Sequence, residues 1–283
     1  MTDTWSPSAR ELQRRAVRRR QRTQQVVTAT AVTVVVLGLA GWAVTLTPGW
    51  DRFQETFLSW EDAKESFPGI RHGFWLNVKL FLICEVFILV LGLAVALARQ
   101  ARSAWLAPLR VVAVVYTDVF RGVPTILLVL VMALGVPALN LQGLTTDPYI
   151  WAGVALVLSY GAYVAEVFRS GIDSIHPSQV NSASALGLSR GQAMRFVVVP
   201  QAVRRVIPPL LNDFVSLQKD TALVSVAGVF DAMFQARDYG SYHFNYTSYV
   251  VVGLFFIVLT VPLARFCDWL QRRWMDRERA GAL

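Results

Sequence analysis

The stretch that decides the fold lies at residues 166–231 and reads EVFRSGIDSIHPSQVNSASALGLSRGQAMRFVVVPQAVRRVIPPLLNDFVSLQKDTALVSVAGVFD. It is a polar, basic segment between apolar runs. This pattern predicts that the chain leaves one membrane helix near Arg169, forms a short helical hairpin outside the bilayer, and re-enters the membrane at about Ile207.

Turn and cap signals divide the hairpin into two short helices. Proline at 177 disfavours helical backbone at His176, so it should separate the hairpin from the preceding helix. A first short helix is then predicted over residues 178–186, with Gly187 ending it in a left-handed conformation.

The second short helix is predicted to begin with a capping box formed by Ser189 and Gln192, three residues apart. Pro200 is expected to stop this helix, because proline lacks the amide that a helix interior needs. The adjacent prolines Pro208 and Pro209 are then expected to open the next membrane helix.

The rest of the chain is strongly apolar, with 54% hydrophobic residues in 283. A helix needs roughly 20 apolar residues to cross a hydrocarbon core about 30 Å thick. Six runs are candidates, at residues 26–47, 74–98, 111–135, 149–168, 206–229 and 248–269. So many long runs predict an all-α integral membrane protein.

Positive charge gives the orientation. Most of the 27 Lys and Arg residues fall at 1–25, 99–110, 169–205 and 265–283, which the six spans place on one side. The positive-inside rule then predicts that both termini are cytoplasmic. The net charge of +8 is explained by this topology, and no nucleic-acid partner is expected.

The predicted organisation has five parts: a cytoplasmic basic segment at 1–25, a first span at 26–47, an extracytoplasmic amphipathic loop at 48–73, a core at 74–270 that contains a cytoplasmic loop at 170–205, and a tail at 271–283. The basic start also fits a secretory signal. A retained span is preferred, because this run is longer than the roughly 7–15 residues of a signal core.

Aromatic residues recur at three- and four-residue spacing in the outer loop, at Trp50, Phe53, Phe57 and Trp60. This spacing predicts an amphipathic helix that lies on the outer membrane surface. The same surface is a candidate for docking a partner protein, and the two interpretations are compatible.

Polar and charged residues inside the spans are candidates for a translocation path, because such groups face a bundle interior or a water-filled cavity. The candidates are Asn212, Asp213, Ser216, Lys219, Asp220, Glu85 and Arg121. Asn212, Ser216 and Lys219 share one helix face, at spacings of four and three residues.

Two pairs of opposite charges lie three residues apart, so each is predicted to form a local ion pair. One pair is Asp118 and Arg121. The other is Glu166 and Arg169, which is predicted either as a structural pair at the membrane edge or as a pair that positions the following loop.

Several motifs together resemble the permease subunits of ATP-binding-cassette (ABC) importers, in the branch that carries polar amino acids. They are YTDVFRGVP at 116–124, YVAEVFRSGI at 163–172, NSA at 181–183 with Gly187 and the sequence VVVP at 197–200, IPPL at 207–210, and KDT at 219–221. The resemblance covers residues 73–268.

The resemblance implies the transmembrane domain of a type I ABC importer, with about six transmembrane helices and a cytoplasmic EAA-type coupling loop. The coupling residues that it assigns are Asn181, Ser182, Ala183, Ala185, Leu186, Gly187 and Leu188. Positions 181 and 182 depart from the usual Glu and Ala, so an ion pair from position 181 to an ATPase is not expected, whereas coupling through helix shape is.

The chain contains neither a phosphate-binding loop nor a zinc-protease motif, and its two cysteines, Cys84 and Cys267, lie in apolar runs. Neither enzymatic activity nor a bound metal or cofactor is therefore expected of this chain. By resemblance, ATP and Mg²⁺ belong to a partner nucleotide-binding ATPase subunit. A second permease copy or paralogue and an extracytoplasmic substrate-binding protein are implied in the same way.

The expected function is that of a membrane-spanning permease subunit in a prokaryotic plasma membrane. It would serve an ATP-driven importer for a polar amino acid, with the glutamate or glutamine type favoured. The alternative is an ion-coupled secondary transporter that uses Lys79, Glu85 and Asp213, although the internal repeats typical of such carriers are not apparent. A non-transporting membrane scaffold is a third reading.

Overall fold

The computed structural model describes residues 8–101 and 103–281, and every regular element within these ranges is helical. The twelve α-helices are α1 (Ala9–Thr45), α2 (Trp50–Phe57), α3 (Trp60–Gln100), α4 (Ala107–Gly122), α5 (Thr125–Leu130), α6 (Val136–Ala138), α7 (Pro148–Asp173), α8 (Pro177–Ala185), α9 (Arg190–Ala193), α10 (Val199–Asp220), α11 (Ala232–His243) and α12 (Thr247–Gly281). Short 3₁₀ helices at Ala104–Leu106 and Thr221–Ala227, and π-helical turns at Val131–Gly135 and Met194–Val198, join some of them. The predicted all-α class is confirmed.

The chain divides into two compact units, Met1–Thr56 and Phe57–Leu283. The first unit contains α1, a single helix whose described side chains are almost all exposed and whose second half coincides with the first predicted span. The predicted surface helix is shorter than expected, since α2 ends at Phe57. Ser59 instead caps α3, accepting a hydrogen bond from the Asp62 amide at 3.3 Å, so Trp60 begins the long helix that follows.

In the second unit, α3 and α7 pack closely along their lengths and form the centre of the apolar core. Ile88 of α3, Leu156 of α7 and Leu217 of α10 are almost completely buried there. A Cβ atom at Gly92 would lie 2.5 Å from Cγ1 of Val164. The two helices can approach so closely only because glycine has no side chain at that crossing.

Four described helical segments are long and apolar enough to cross a membrane: Arg10–Thr45, Trp50–Gln100, Pro148–Asp173 and Thr247–Trp274. A fifth candidate is the pair Ala104–Gly122 and Thr125–Ala138, which meet at 103°. Val123 is extended immediately before Pro124, as proline requires of its neighbour, and this bends the run at 111–135, which the sequence analysis treats as a single span. The remaining predicted span, at 206–229, corresponds to α10 and the 3₁₀ helix after it, and its status as a span stays a prediction.

The predicted breaks at Pro200 and at Pro208 and Pro209 are wrong. After α9 the chain passes through the π-helical turn directly into α10, which contains all three prolines. Pro200 directly follows the π-helical turn, where the Val199 amide donates to the carbonyl of Met194 and the regular α-helical register is already interrupted. The other two lie between the buried residues Val206 and Leu217, whose burial on both sides stabilises the continuous helix.

A buried polar contact joins α3 to the start of α11. Asn77 donates to the carboxylate of Asp231 at 2.9 Å and accepts from the Ala232 amide at 3.1 Å. Asp231 also caps α11 by accepting from the Phe234 amide at 2.8 Å. Its side chain is almost fully enclosed, and this burial raises the pKa of Asp231 to about 6.

Candidate functional site

The candidate site begins with the hairpin of α8 and α9, which directly follows α7. The ring of His176 accepts a hydrogen bond from the Ser178 amide at 3.2 Å, and this caps α8. Pro177 occupies the first turn, where its fixed φ suits a helix start. The predicted break between α7 and the hairpin is therefore confirmed.

The predicted left-handed end of α8 is also confirmed. Gly187 has φ +81°. Its amide donates to the carbonyl of Ser184 at 3.0 Å, and the amide of Leu188 donates to the carbonyl of Ala183 at 3.1 Å. These two bonds are those of a Schellman motif, which satisfies the last carbonyls of the helix.

The predicted capping box is present at the start of α9. The Ser189 amide donates to Oε1 of Gln192 at 2.8 Å, and the Gln192 amide donates to Oγ of Ser189 at 3.4 Å. Both turns of the hairpin are thus fixed by hydrogen bonds within a few residues of sequence, which gives the hairpin a defined shape.

The residues predicted to couple to an ATPase divide into an inner and an outer set. Ala183 is buried and Leu188 is half-buried, whereas the others are exposed: Asn181, Ser182, Ala185, Leu186 and Gly187. Leu186 is 83% exposed, and burial of this apolar side chain against another protein would be favourable. The outer set therefore forms a surface suited to a partner.

The hairpin is joined to α7 and α10 by a small apolar cluster and by close packing. Ile175, Val198 and Ala202 are buried together. Arg205 of α10 donates a hydrogen bond to the carbonyl of Ser174, in the turn before α8. These contacts connect the hairpin to two helices of the membrane core.

The three residues predicted to share a face of α10 are arranged around its outward side. Asn212 and Lys219 are exposed and Ser216 is half-buried. Exposed polar groups on a helix of a membrane protein need a polar surface to face, because lipid cannot solvate them. In the described part of one chain this face is not enclosed, so it is available to a second subunit or to a cavity between subunits.

Other polar residues of α10 bond to neighbouring helices. Asp220 accepts a hydrogen bond from the Tyr160 hydroxyl of α7 at 2.7 Å. Gln218 is buried and accepts a hydrogen bond from Thr260 of α12. The structure thus gives Asp220 a bond to α7, a contact that its sequence neighbourhood did not indicate.

Glu85 of α3 and Asp213 of α10 are both half-buried and lie close enough to interact electrostatically. The Oδ2 atom of Asp213 is buried and has no hydrogen-bond partner among the described residues. Lys79, also proposed for an ion-coupled path, is exposed, with its ammonium 5.9 Å from the centre of the Trp75 ring. A groove of about 360 Å³ between α3 and α7 is lined by residues such as Ile83 and contains none of these charged groups.

Arg121 does not form the predicted ion pair with Asp118, and that prediction is wrong. Its Nη1 lies 3.8 Å from Oε2 of Glu166, and its guanidinium lies 5.7 Å from the centre of the Tyr163 ring. The end of α4 packs against α7, which draws the arginine toward α7 and leaves Asp118 exposed.

Glu166 and Arg169 do form an ion pair, with Nε of Arg169 at 3.2 and 3.1 Å from the two carboxylate oxygens. Arg99, in the last turn of α3, donates to the same carboxylate at 2.8 Å. Sequence reasoning missed Arg99, because 67 residues separate it from Glu166. It missed Asn77 as the partner of Asp231 for the same reason, because 154 residues separate the two.

The helical membrane core, the bent span and the hairpin after α7 define a class: multi-pass permease subunits of ABC importers. Residues 88–276 match the family described as binding-protein-dependent transport system inner membrane component, and the chain belongs to that family. The helices α1 and α2 and the first part of α3 precede the matched residues.

Relatives and solved structures agree with this assignment. The chain is 33% identical over 207 residues, 73% of its length and 92% of the relative's, to the arginine transport system permease protein ArtQ of Bacillus subtilis. It is 34% identical over 186 residues, 65% of its length and 83% of the relative's, to the glutamine transport system permease protein GlnP of Escherichia coli K12. A crystal structure of an amino acid ABC transporter with histidines is 28% identical, with a TM-score of 0.69, and the match covers 76% of this chain and 98% of that one. The predicted class, an amino acid ABC importer permease of the inner membrane, is therefore confirmed, and the ion-coupled alternative is not favoured.

Proposed function

We propose that this protein is a permease subunit of an ATP-driven amino acid importer, whose conformational change is driven by an ATPase that binds the α8 and α9 hairpin from the cytoplasm. The observation that carries the proposal is the hairpin itself: its turns are fixed by internal hydrogen bonds, its base is packed on α7 and α10, and Leu186 projects from its outer side. Such a unit can transmit force without deforming.

The contact with the ATPase would depend on shape and on apolar burial. The outer side carries Asn181 and Ser182 in place of a carboxylate, so it offers hydrogen bonds but no charge. Leu186 would enter an apolar recess of the ATPase, and Ala183 would keep α8 in register against the core. This chain would bind neither ATP nor Mg²⁺, and both would belong to the partner.

A second permease would complete the path. Asn212 and Lys219 are exposed on α10, and a polar cavity between two permeases would hydrate them. Both a second copy of this chain and a paralogue fit this arrangement. An extracytoplasmic binding protein would deliver the substrate to the outer side.

The substrate would be a polar amino acid, with glutamine as the first candidate because two of the similar permeases are described as glutamine permeases. Arginine is the second candidate. Glu85 and Asp213 place two half-buried carboxylates near each other, and a guanidinium group would neutralise them. The relative ArtQ is described as an arginine permease.

The experiment is a pull-down of the tagged protein from its native membrane in mild detergent, followed by mass spectrometry of the chains that copurify. We expect an ATPase subunit with a phosphate-binding loop, and the presence or absence of a second permease distinguishes a heterodimer from a homodimer. Recovery of this chain alone, under conditions that preserve a known ABC importer, would contradict the proposal. Competition by unlabelled glutamine or arginine in an uptake assay then separates the two substrates.

A further inference from the structure

Guanidinium groups from three helices converge on one carboxylate, that of Glu166. Arg99, at the end of α3, donates to it at 2.8 Å. Arg169, one turn further along α7, binds both of its oxygens. Arg121, at the end of α4, lies 3.8 Å from it. A single negative charge therefore joins α3, α4 and α7.

This cluster is partly withdrawn from water. The side chain of Arg99 is 15% exposed and that of Glu166 is 23% exposed, so the attraction is screened less than in an open surface pair. Asp173 pairs only with Arg169 within the described residues. Removal of the Glu166 charge would leave Arg99 and Arg121 facing each other as like charges.

The cluster also lies between the hairpin and the bent span. Arg121 is two residues before Val123, the extended residue that begins the bend. Tyr163 of α7 strengthens this contact, because its hydroxyl donates to the carbonyl of Arg121 at 3.3 Å. In the other direction, α7 continues from Glu166 to Asp173 and is followed by the hairpin.

We propose that Glu166 is a positioning residue whose carboxylate holds the end of α3 and the bend after α4 to α7, so that a movement of the hairpin reaches the bent span. This inference rests on the proposed function. Without the carboxylate, α7 would move with the hairpin while the bend stays behind. ATP hydrolysis would then continue with little substrate transport.

The test measures ATP hydrolysis and uptake together, in proteoliposomes that contain the complex of this chain with its ATPase and binding protein. The variant is Glu166→Gln, which keeps the shape of the side chain and removes its charge. The matched control is Asp268→Asn, which removes a carboxylate from an exposed pair with Arg265, 3.8 Å long and three residues apart on α12. Both variants are compared with wild type at equal complex content.

We expect Glu166→Gln to hydrolyse ATP within about twofold of wild type and to import at least tenfold less substrate per ATP. The Asp268→Asn variant should keep the wild-type ratio of uptake to hydrolysis. A wild-type ratio in Glu166→Gln would overturn the inference, and so would a parallel fall of both rates, since that is the result expected of a purely structural residue.

A second variant covers the case in which Glu166→Gln does not assemble. Arg121→Gln removes the longer contact to Glu166 and the guanidinium beside the Tyr163 ring, and leaves the bonds from Arg99 and Arg169. It should lower the ratio of uptake to hydrolysis several-fold, and a wild-type ratio would overturn the inference. Absence of ATP-dependent uptake in the wild-type complex would instead refute the proposed function, and this inference with it.

Discussion

The left-handed turn at Gly187 permits a sharp test of the hairpin. Apart from Gly187 and its two neighbours in the chain, no heavy atom of the described residues lies within 4 Å of the position that a Cβ would occupy there, so a larger residue meets no steric clash with them. The cost of Gly187→Val comes from the backbone alone. Left-handed backbone costs about 1–2 kcal/mol for an ordinary L-residue, and a β-branched residue lies at the upper end of this range.

A cost of about 2 kcal/mol lowers the population of the intact turn about 30-fold relative to competing conformations. The hydrogen bonds that end α8 would be lost in those conformations, and the outer side of α8 would change direction. Gly187→Ala should have a smaller effect, near the lower end of the range. A larger effect of valine than of alanine is the result expected of backbone strain at φ +81°.

The assay is ATP-dependent uptake at matched levels of membrane-inserted protein. Gly191 provides the control: it lies in the same hairpin, is exposed, and also has open space around it, but its φ is not positive. We expect Gly187→Val to lower uptake at least tenfold, Gly187→Ala to lower it a few-fold, and Gly191→Val to leave it near wild type. Equal uptake in the two valine variants would refute the role given to this turn.

Three further predictions concern the packing of Gly171 at the base of the hairpin, the exposed Leu186 on its outer side, and Asp231, which bonds to Asn77 of α3. A Cβ at Gly171 would overlap Cγ1 of Val206, so Gly171→Leu should separate α7 from α10 and lower the thermal unfolding temperature. Adding Val206→Ala to the same chain should restore part of this temperature, and no restoration would argue against the contact. Leu186 is 83% exposed, so Leu186→Asp should change the free energy of unfolding by less than about 0.5 kcal/mol while abolishing copurification of the ATPase; retained copurification would exclude Leu186 from that interface. Burial raises the pKa of Asp231 from 3.8 to about 6, so its contribution to stability is complete below pH 3.8 and is lost as the pH rises through about 6. The free energy of unfolding of the wild type should therefore fall by up to about 3 kcal/mol relative to that of Asp231→Asn between pH 4 and pH 7. Denaturant unfolding in detergent measures this fall, and parallel pH profiles of the two proteins would contradict it.

Features encoded within a few residues were predictable from the sequence. Gly187 and the Ser189 and Gln192 box fix their turns through bonds that span three to five positions, so the local pattern is sufficient. The bend before Pro124 also has a local cause, the steric restriction on the residue before proline, although the apolar run at 111–135 predicts a single span. The coupling role of the loop came from the resemblance to the family, and it stays a prediction.

Features that depend on distant partners were not predictable. The helix through Pro208 and Pro209 is stabilised by burial of flanking residues, which a local proline rule does not include. Arg121 pairs with Glu166 because α4 packs on α7, although Asp118 is nearer in sequence. The Asn77 and Asp231 contact joins residues 154 positions apart, and no local pattern indicates it.

The substitution at position 181 bears on how coupling occurs. Asn181 removes the carboxylate usual at the start of the loop, and the exposed side of α8 carries no acidic residue. Coupling should then depend little on ionic strength. Restoring a carboxylate with Asn181→Glu would add an ion pair only if the ATPase presents a basic residue there, which copurification at increasing salt concentration would measure.

We propose that this chain transports an amino acid only when ATP hydrolysis drives it. The most direct measurement is uptake of labelled glutamine and of labelled arginine into sealed proteoliposomes that contain the purified complex and its binding protein, with and without ionophores that collapse ion gradients. We expect uptake of one of the two with ATP and Mg²⁺, with and without ionophores, and none with a non-hydrolysable ATP analogue. Uptake that persists without hydrolysis, or that the ionophores abolish, would contradict it.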